Sequence, residues 1–251
     1  MKLCLWIAGV VCLIGTDLRA DDKPGAPKGD RRAAALMEEA ARTRYVWSPE
    51  VTAVSGKFAW HNDGKSGAGT FRSVLRQKGG PTFTAEGASE VPAEVKEHIG
   101  SLIGHRTPSA PGAAKRPAPP SVIVVEDEDR GALIMTVGDP MQSTQRVKDG
   151  KMVQVNRVMG GKRFTIDVTE CEKSPDGQYY PSAFTVTWWD APTGKKTEKQ
   201  LYTTEGFNIV DGQMFPKAEK VVSEKEGKST TLTIQYSDIK FETGRQRADA
   251  K

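Results

Sequence analysis

Apolar positions along the chain follow two periods, and the change between them divides it. From Arg31 to Trp47 the spacing is helical. Leu36, Ala40, Thr43 and Trp47 share one stripe with Met37 beside it, while Arg31, Glu38 and Arg42 fall elsewhere. Asp30 is placed to cap that helix and Pro49 to close the segment. Beyond Pro49 the period drops to two. Val54, Phe58 and Trp60 alternate with Ser55, Lys57 and Ala59, Asn62-Asp63-Gly64 supplies a hairpin turn, and Phe71, Ser73 and Leu75 return before Gly79-Gly80-Pro81. A second helix spans Pro92 to His105 on the stripe Val95, Ile99, Leu102 and Ile103.

The rest reads as antiparallel sheet. Val122 to Val125 and Ala132 to Val137 flank the turn Glu128 to Gly131, and Val153 and Val155 lie between Asp149-Gly150 and Gly160-Gly161. Phe164, Ile166 and Val168 alternate, as do Phe184, Val186 and Trp188; Leu201, Phe207 and Ile209 precede Asp211-Gly212. On the last strand Leu232, Ile234 and Tyr236 slip by one to Ile239 and Phe241, which predicts a β-bulge near Ser237-Asp238. One-sided alternation predicts a sheet with one packed face and one wet face. The fold class is therefore mainly β with two helices (α+β): a single large curved antiparallel sheet, or half-barrel meander, with the helices covering its concave face. The Pro/Ala-rich run at 107–121 is expected to be a loop of few contacts within one β-rich domain of residues 30–242. A leader (21–29) and a charged tail (243–251) are expected to flank that domain unstructured.

The amino terminus assigns a compartment. Lys2, the apolar run Leu3 to Gly15 and the polar segment ending at Ala20 form a signal-peptide pattern over residues 1–20. Thirteen apolar residues rise only about 20 Å as a helix, too short for a hydrocarbon core of about 30 Å. The chain is expected to be exported, periplasmic or extracellular, with no transmembrane anchor after cleavage. Of three cysteines, Cys4 and Cys12 leave with the signal, so Cys171 is expected to be a half-buried strand thiol. A net charge of +4 gives no reason for a nucleic-acid partner.

No motif marks out a reaction. Gly64-Lys65-Ser66 lacks the earlier glycine of a phosphate loop, because position 59 is Ala59. Glu126 to Asp129 lacks the closing acid of a calcium loop, because position 138 is Gly138. His98 and His105 share a helix edge but stand about 10 Å apart along it, so no metal site or cofactor is read there; Glu94 and His98 are spaced for a surface pair. The candidate ligand-binding residues are aromatic: Phe58, Trp60, Phe71, Phe184 and Trp188. Trp188 and Trp189 are consecutive on a strand and must face opposite ways, so one of them needs a cover.

Two segments carry a family resemblance. The run Arg42-Thr43-Arg44-Tyr45-Val46-Trp47, and Phe207 to Pro216 with the strand Thr230 to Phe241, resemble the uncharacterised bacterial family known as domain of unknown function 3386, over roughly residues 33 to 242. The family carries no established activity. More loosely, the pattern is similar to periplasmic lipoprotein carriers, which implies an open curved sheet whose apolar concave face is lidded by helices and holds acyl chains. Two function classes follow as expectations. One is a non-catalytic binding protein for a lipid or other apolar small molecule. The other is an exported hydrolase-type enzyme built on His61, which requires His61 within hydrogen-bond reach of a carboxylate or hydroxyl. An envelope interaction protein without a cavity is the remaining alternative.

Overall fold

The computed structural model describes residues 29–75, 82–87, 90–108 and 119–244. The signal-peptide pattern, most of the leader, Gly79-Gly80-Pro81, the middle of the Pro/Ala-rich run (109–118) and the tail from residue 245 lie outside the described residues.

Helix α1 (Arg31–Thr43) precedes β1 (Val51–Asn62), β2 (Lys65–Val74) and β3 (Thr82–Gly87), and α2 (Ala93–Arg106) follows them. The chain then continues through β4 (Ser121–Asp127), β5 (Gly131–Thr136), β6 (Thr144–Lys148), β7 (Lys151–Met159), β8 (Lys162–Lys173) and β9 (Tyr179–Asp190) to β10 (Lys196–Val210), β11 (Gln213–Lys225) and β12 (Lys228–Thr243). All twelve strands join one open antiparallel sheet in the order β3-β2-β1-β12-β11-β10-β9-β8-β7-β6-β5-β4. Nearly every neighbour is a hairpin, but β1 pairs with β12. That pairing puts β3 and β4, consecutive in sequence, at opposite edges of the sheet. The segment containing α2 must travel between them, and it does so over the concave face. α1 makes a second crossing: the Asp30 amide is bonded to the Ser121 carbonyl at 2.8 Å beside β4, and the chain then runs to β1 in the inner part of the sheet.

Local chemistry explains the elements. Asp30 caps α1, accepting from the Arg32 amide at 2.8 Å. At the β1–β2 hairpin Asp63 and Gly64 both take positive φ, 44° and 81°, as a two-residue turn matched to strand twist requires. The bulge in β12 lies where the alternation slips: the register steps from Ser55↔Lys240 to Lys57↔Ser237, and Lys57 bonds Asp238 at 2.8 Å across it. Two close approaches build the β1–β2 face. The Trp60 and Phe58 rings lie over Gly67 and Gly69, where a Cβ would come within 2.9 and 2.8 Å of them.

The concave face carries two apolar clusters. In the larger, Val95, Ile99, Leu102 and Ile103 of α2 pack with Val54, Phe58, Trp60, Phe71, Phe215, Ile234 and Tyr236. In the smaller, Ala33 and Ala40 of α1, flanked by Leu36 and Met37, pack with Ala132, Ile134 and Val147.

Several expectations are corrected. Trp47 does not extend the stripe of α1, because the helix ends at Thr43 and Arg44 to Ser48 are not helical. Its indole is nevertheless buried, near-parallel to Phe215 at 6.1 Å, and its Nε1 donates to the Met214 carbonyl at 3.1 Å. Leu201 is exposed because its neighbour Tyr202 takes the inward register of β10, and Ile209 is exposed near the end of that strand. Strands β3 and β6 carry too few apolar residues to stand out in the sequence. Strand β12 runs through Thr243, with Glu242 bonded to Arg72, so the strand extends into the expected tail. At the far end of the Pro/Ala-rich run, the Pro120 carbonyl accepts from Val137 at 2.7 Å.

Truncating Trp47 to Ala removes a buried indole and its hydrogen bond, and urea denaturation should show a loss of about 3–5 kcal/mol. The exposed Leu201→Ala should change stability by no more than about 0.5 kcal/mol. Similar losses for the two would disprove the assignment of Trp47 to the core.

Candidate functional site

Direct cross-strand partners share a face of the sheet. The series Ile134–Gln145–Val155–Ile166–Val186–Gln200 therefore extends the surface under α1 across β8 to β10. Likewise Val168–Phe184–Tyr202–Val221–Leu232 runs toward the region under α2. Both helices consequently lie on one face, with a strip of sheet between them. Its floor is Phe164, Ile166, Val168, Phe184, Val186, Trp188 and Tyr202, and none of these belongs to either helix-covered cluster. Their rings pack on one another instead: Phe164 with Trp188 at 4.8 Å, and Phe184 parallel to Tyr202 at 4.6 Å. Val186 and Trp188 are buried, and the other five are half-buried.

The structure separates the five aromatic candidates. Phe58, Trp60 and Phe71 lie in the core with α2, where Phe71 stacks on Phe215 at 5.6 Å. Phe184 and Trp188 stand together on the strip. Trp189 points to the opposite face, beneath the Arg163 guanidinium at 5.4 Å. Two clefts among the described residues are open rather than roofed by the helices. An open cleft of about 410 Å³ lies among Gln142, Asn156, Arg157, Arg163, Thr165 and Trp189. Another, of about 480 Å³, lies beside the β12 bulge. Neither cleft is lined by the apolar strip, the sheet surface between the two helix-covered clusters that is termed the trough.

A polar wall borders the trough on the α2 side. His98 does not pair with Glu94, whose carboxylate accepts from Asn62 at 2.9 Å. The His98 ring turns to the sheet, stacks on Tyr202 at 5.8 Å and meets Glu219 with its Nε2 2.8 Å from Oε2. The Tyr236 hydroxyl donates to the same oxygen at 2.9 Å. Burial alone would raise the Glu219 pKa, but the charge and hydrogen bond of His98 and the Tyr236 bond outweigh it, so the net shift is downward. Tyr236 is raised well above its ordinary value by burial and by the Glu219 charge. Sequence spacing could not find this triad, because Glu219 is 121 residues from His98.

His61 is exposed and has no hydrogen-bonding carboxylate or hydroxyl among the described residues, so the arrangement required of a catalytic base is missing at that position. Cys171 is a half-buried strand thiol whose pKa burial raises, as expected. No group of His, Cys, Asp and Glu able to hold a metal occurs among the described residues, and none of their helices is long and apolar enough to cross a membrane.

A family model described as a protein of unknown function (DUF3386) matches residues 28–241. No curated protein matches the chain in sequence. Among solved structures it is similar to an outer membrane lipoprotein-sorting domain from Vibrio parahaemolyticus, at 9% identity and a TM-score of 0.40, covering 85% of this chain and 93% of that one. A LolA superfamily protein from Nitrosomonas europaea is similar at 10% identity and a TM-score of 0.34, over 87% and 97% of the two chains. A DUF1329 family protein from Desulfovibrio piger is similar at 9% identity and a TM-score of 0.33, over 86% and 95%.

The lowered Glu219 pKa has a definite pH consequence. An acid whose folded pKa lies below its unfolded value contributes stability that is present above about pH 4.3 and is lost as pH falls through the folded pKa. Glu219→Gln should therefore destabilise the protein by about 1–3 kcal/mol at pH 7. The gap from wild type should close as pH falls below about 4. A gap unchanged down to pH 2, in denaturant titrations at each pH, would show that the carboxylate's charge is not what matters.

Proposed function

The chain belongs to the DUF3386 family of proteins of unknown function, and from its trough we propose that it is an exported, non-catalytic binding protein for an elongated apolar ligand such as an acyl chain. The observation that carries the reading is the strip of β8 to β10 between the two helices. Its aromatic and branched side chains face the concave side without a place in either helix-covered cluster. Four residue steps along β9, from Phe184 to Trp188, and three strands across give a floor of about 13 by 10 Å. A surface of that kind gains about 0.8 kcal/mol for each methylene it removes from water. Ten methylenes supply about 8 kcal/mol, against which the cost of association is set. Phe184 and Trp188 are the residues assigned to hold the ligand. Phe58, Trp60 and Phe71 support the wall from beneath α2.

The test is binding of hexadecanol to the delipidated protein, followed by native mass spectrometry and by tryptophan emission. Phe184→Asp places a charge on the floor at a half-buried position and should weaken binding by about tenfold or more. Phe71→Leu, in the α2 core, should cost stability but change affinity by less than about twofold. Absence of hexadecanol binding, together with the absence of any co-purifying apolar molecule from the native source, would sink the proposal.

A further inference from the structure

The proposed reading leaves three arginines unexplained. Arg44 follows α1, Arg106 is the last residue of α2, and Arg157 lies on β7 directly opposite Phe164 of the trough floor. Two backbone bonds hold the region together: Tyr45 donates to the Tyr179 carbonyl at 2.8 Å, and Trp47 to the Arg106 carbonyl at 2.9 Å. Arg44 Nη2 reaches the His105 carbonyl at 3.4 Å. The Arg106 guanidinium lies over the ring of Tyr180, 4.0 Å from its centroid, and Tyr180 stands four residues before Phe184 on β9. His105 keeps an exposed edge, yet desolvation of its ring and the charges of Arg106, Arg44 and Arg157 push its pKa down to about 4. The three positive charges thus act on one place.

What these arginines lack is an acid bonded to them. Three of the exposed arginines find theirs: Arg32 with Glu126, Arg72 with Glu242, Arg130 with Asp127. Arg44, Arg106 and Arg157, all half-buried, form no ion pair among the described residues. Arg106 Nε, Arg157 Nε and the Tyr180 hydroxyl are buried without a close hydrogen-bond partner, the hydroxyl having only Arg106 and Thr204 within reach. Glu219 feels the charge of Arg106, but its carboxylate is bonded to His98 and Tyr236; Asp139 feels that of Arg157, but its oxygens accept from the Met141 and Ser143 amides. Capping of the α2 carboxyl end accounts for one nitrogen of Arg44 and for nothing on Arg106 or Arg157. Burying unpaired cations is costly, and a planar guanidinium fork matches an oxyanion.

We propose that Arg44, Arg106 and Arg157, with the Tyr180 hydroxyl, form a cationic border to the trough that binds the oxyanion headgroup of an amphiphile whose chain lies along Phe184 and Trp188. This rests on the trough reading and adds a substrate class to it: acidic single-chain amphiphiles over neutral ones. Carboxylate and phosphate share the chemistry, and the experiment separates them.

The delipidated full chain is titrated with hexadecanoate, hexadecyl phosphate and hexadecanol, and the titrations are repeated with Arg106→Gln and Arg157→Gln. Wild type should bind at least one of the two anions about tenfold or more tightly than the alcohol, and the tighter anion identifies the headgroup. Each variant should lose most of that preference while its affinity for hexadecanol stays within about twofold. Equal binding of acid and alcohol by wild type overturns the inference and leaves the trough reading standing. Preference retained in both variants overturns it too. Failure of all three compounds to bind takes down the trough reading itself. The wild-type comparison decides the matter even if a variant does not fold.

Discussion

A sheet of twelve strands presents an apolar face far wider than two helices can cover. With strands about 4.8 Å apart and a helix about 10 Å across, each helix shields little more than two strands' width. Curvature reduces the mismatch by bringing the two covered regions toward one another. α1 takes the β4 to β7 side, α2 takes the β1, β2, β11 and β12 side, and the strip on β8 to β10 is left over. The trough is therefore a consequence of how much sheet the chain makes relative to how much helix.

Topology decides that both helices share a face. Because β1 pairs with β12, the first hairpin unit closes onto the last, and the connection from β3 to β4 has to pass from one edge of the sheet to the other. α1 begins beside β4 and leads to β1, crossing part of the same span in the other direction. Their carboxyl ends meet near Tyr179 and Tyr180, where the Tyr45 amide donates to the Tyr179 carbonyl and the Trp47 amide to the Arg106 carbonyl. The same junction that closes the fold brings together like charges that a compact core would otherwise keep apart, which is why the unpaired guanidiniums and the aromatic strip belong to one account of the molecule.

The two polar groups on the concave face contrast with each other. Glu219 is satisfied from within the protein, by an imidazole from α2 and a phenol from β12, and this fixes the helix against the sheet. The arginines at the helix ends are not satisfied from within. One arrangement is complete as folded, and the other is completed by a bound anion.

Local features were legible in the sequence because their causes are local. Asp30 caps the residue two ahead of it, Asp63-Gly64 turns the chain by its own backbone preference, the period-3.6 stripe of Val95, Ile99, Leu102 and Ile103 is one face of one helix, and the slip after Tyr236 is a bulge whatever it pairs with. Fold class follows from such features, since many alternating segments and two helices admit few architectures. Only the tertiary structure could place Phe58, Trp60 and Phe71 against α2 and Phe184 and Trp188 on the strip between the helices, because all five have the same period and the same chemistry. It also decided that His98 meets Glu219 rather than Glu94, and that Arg106 and Arg157 form no ion pair among the described residues. Those outcomes depend on which strands adjoin across the β1–β12 pairing, a contact between the two ends of the chain, and no pattern read along a few neighbouring residues contains it.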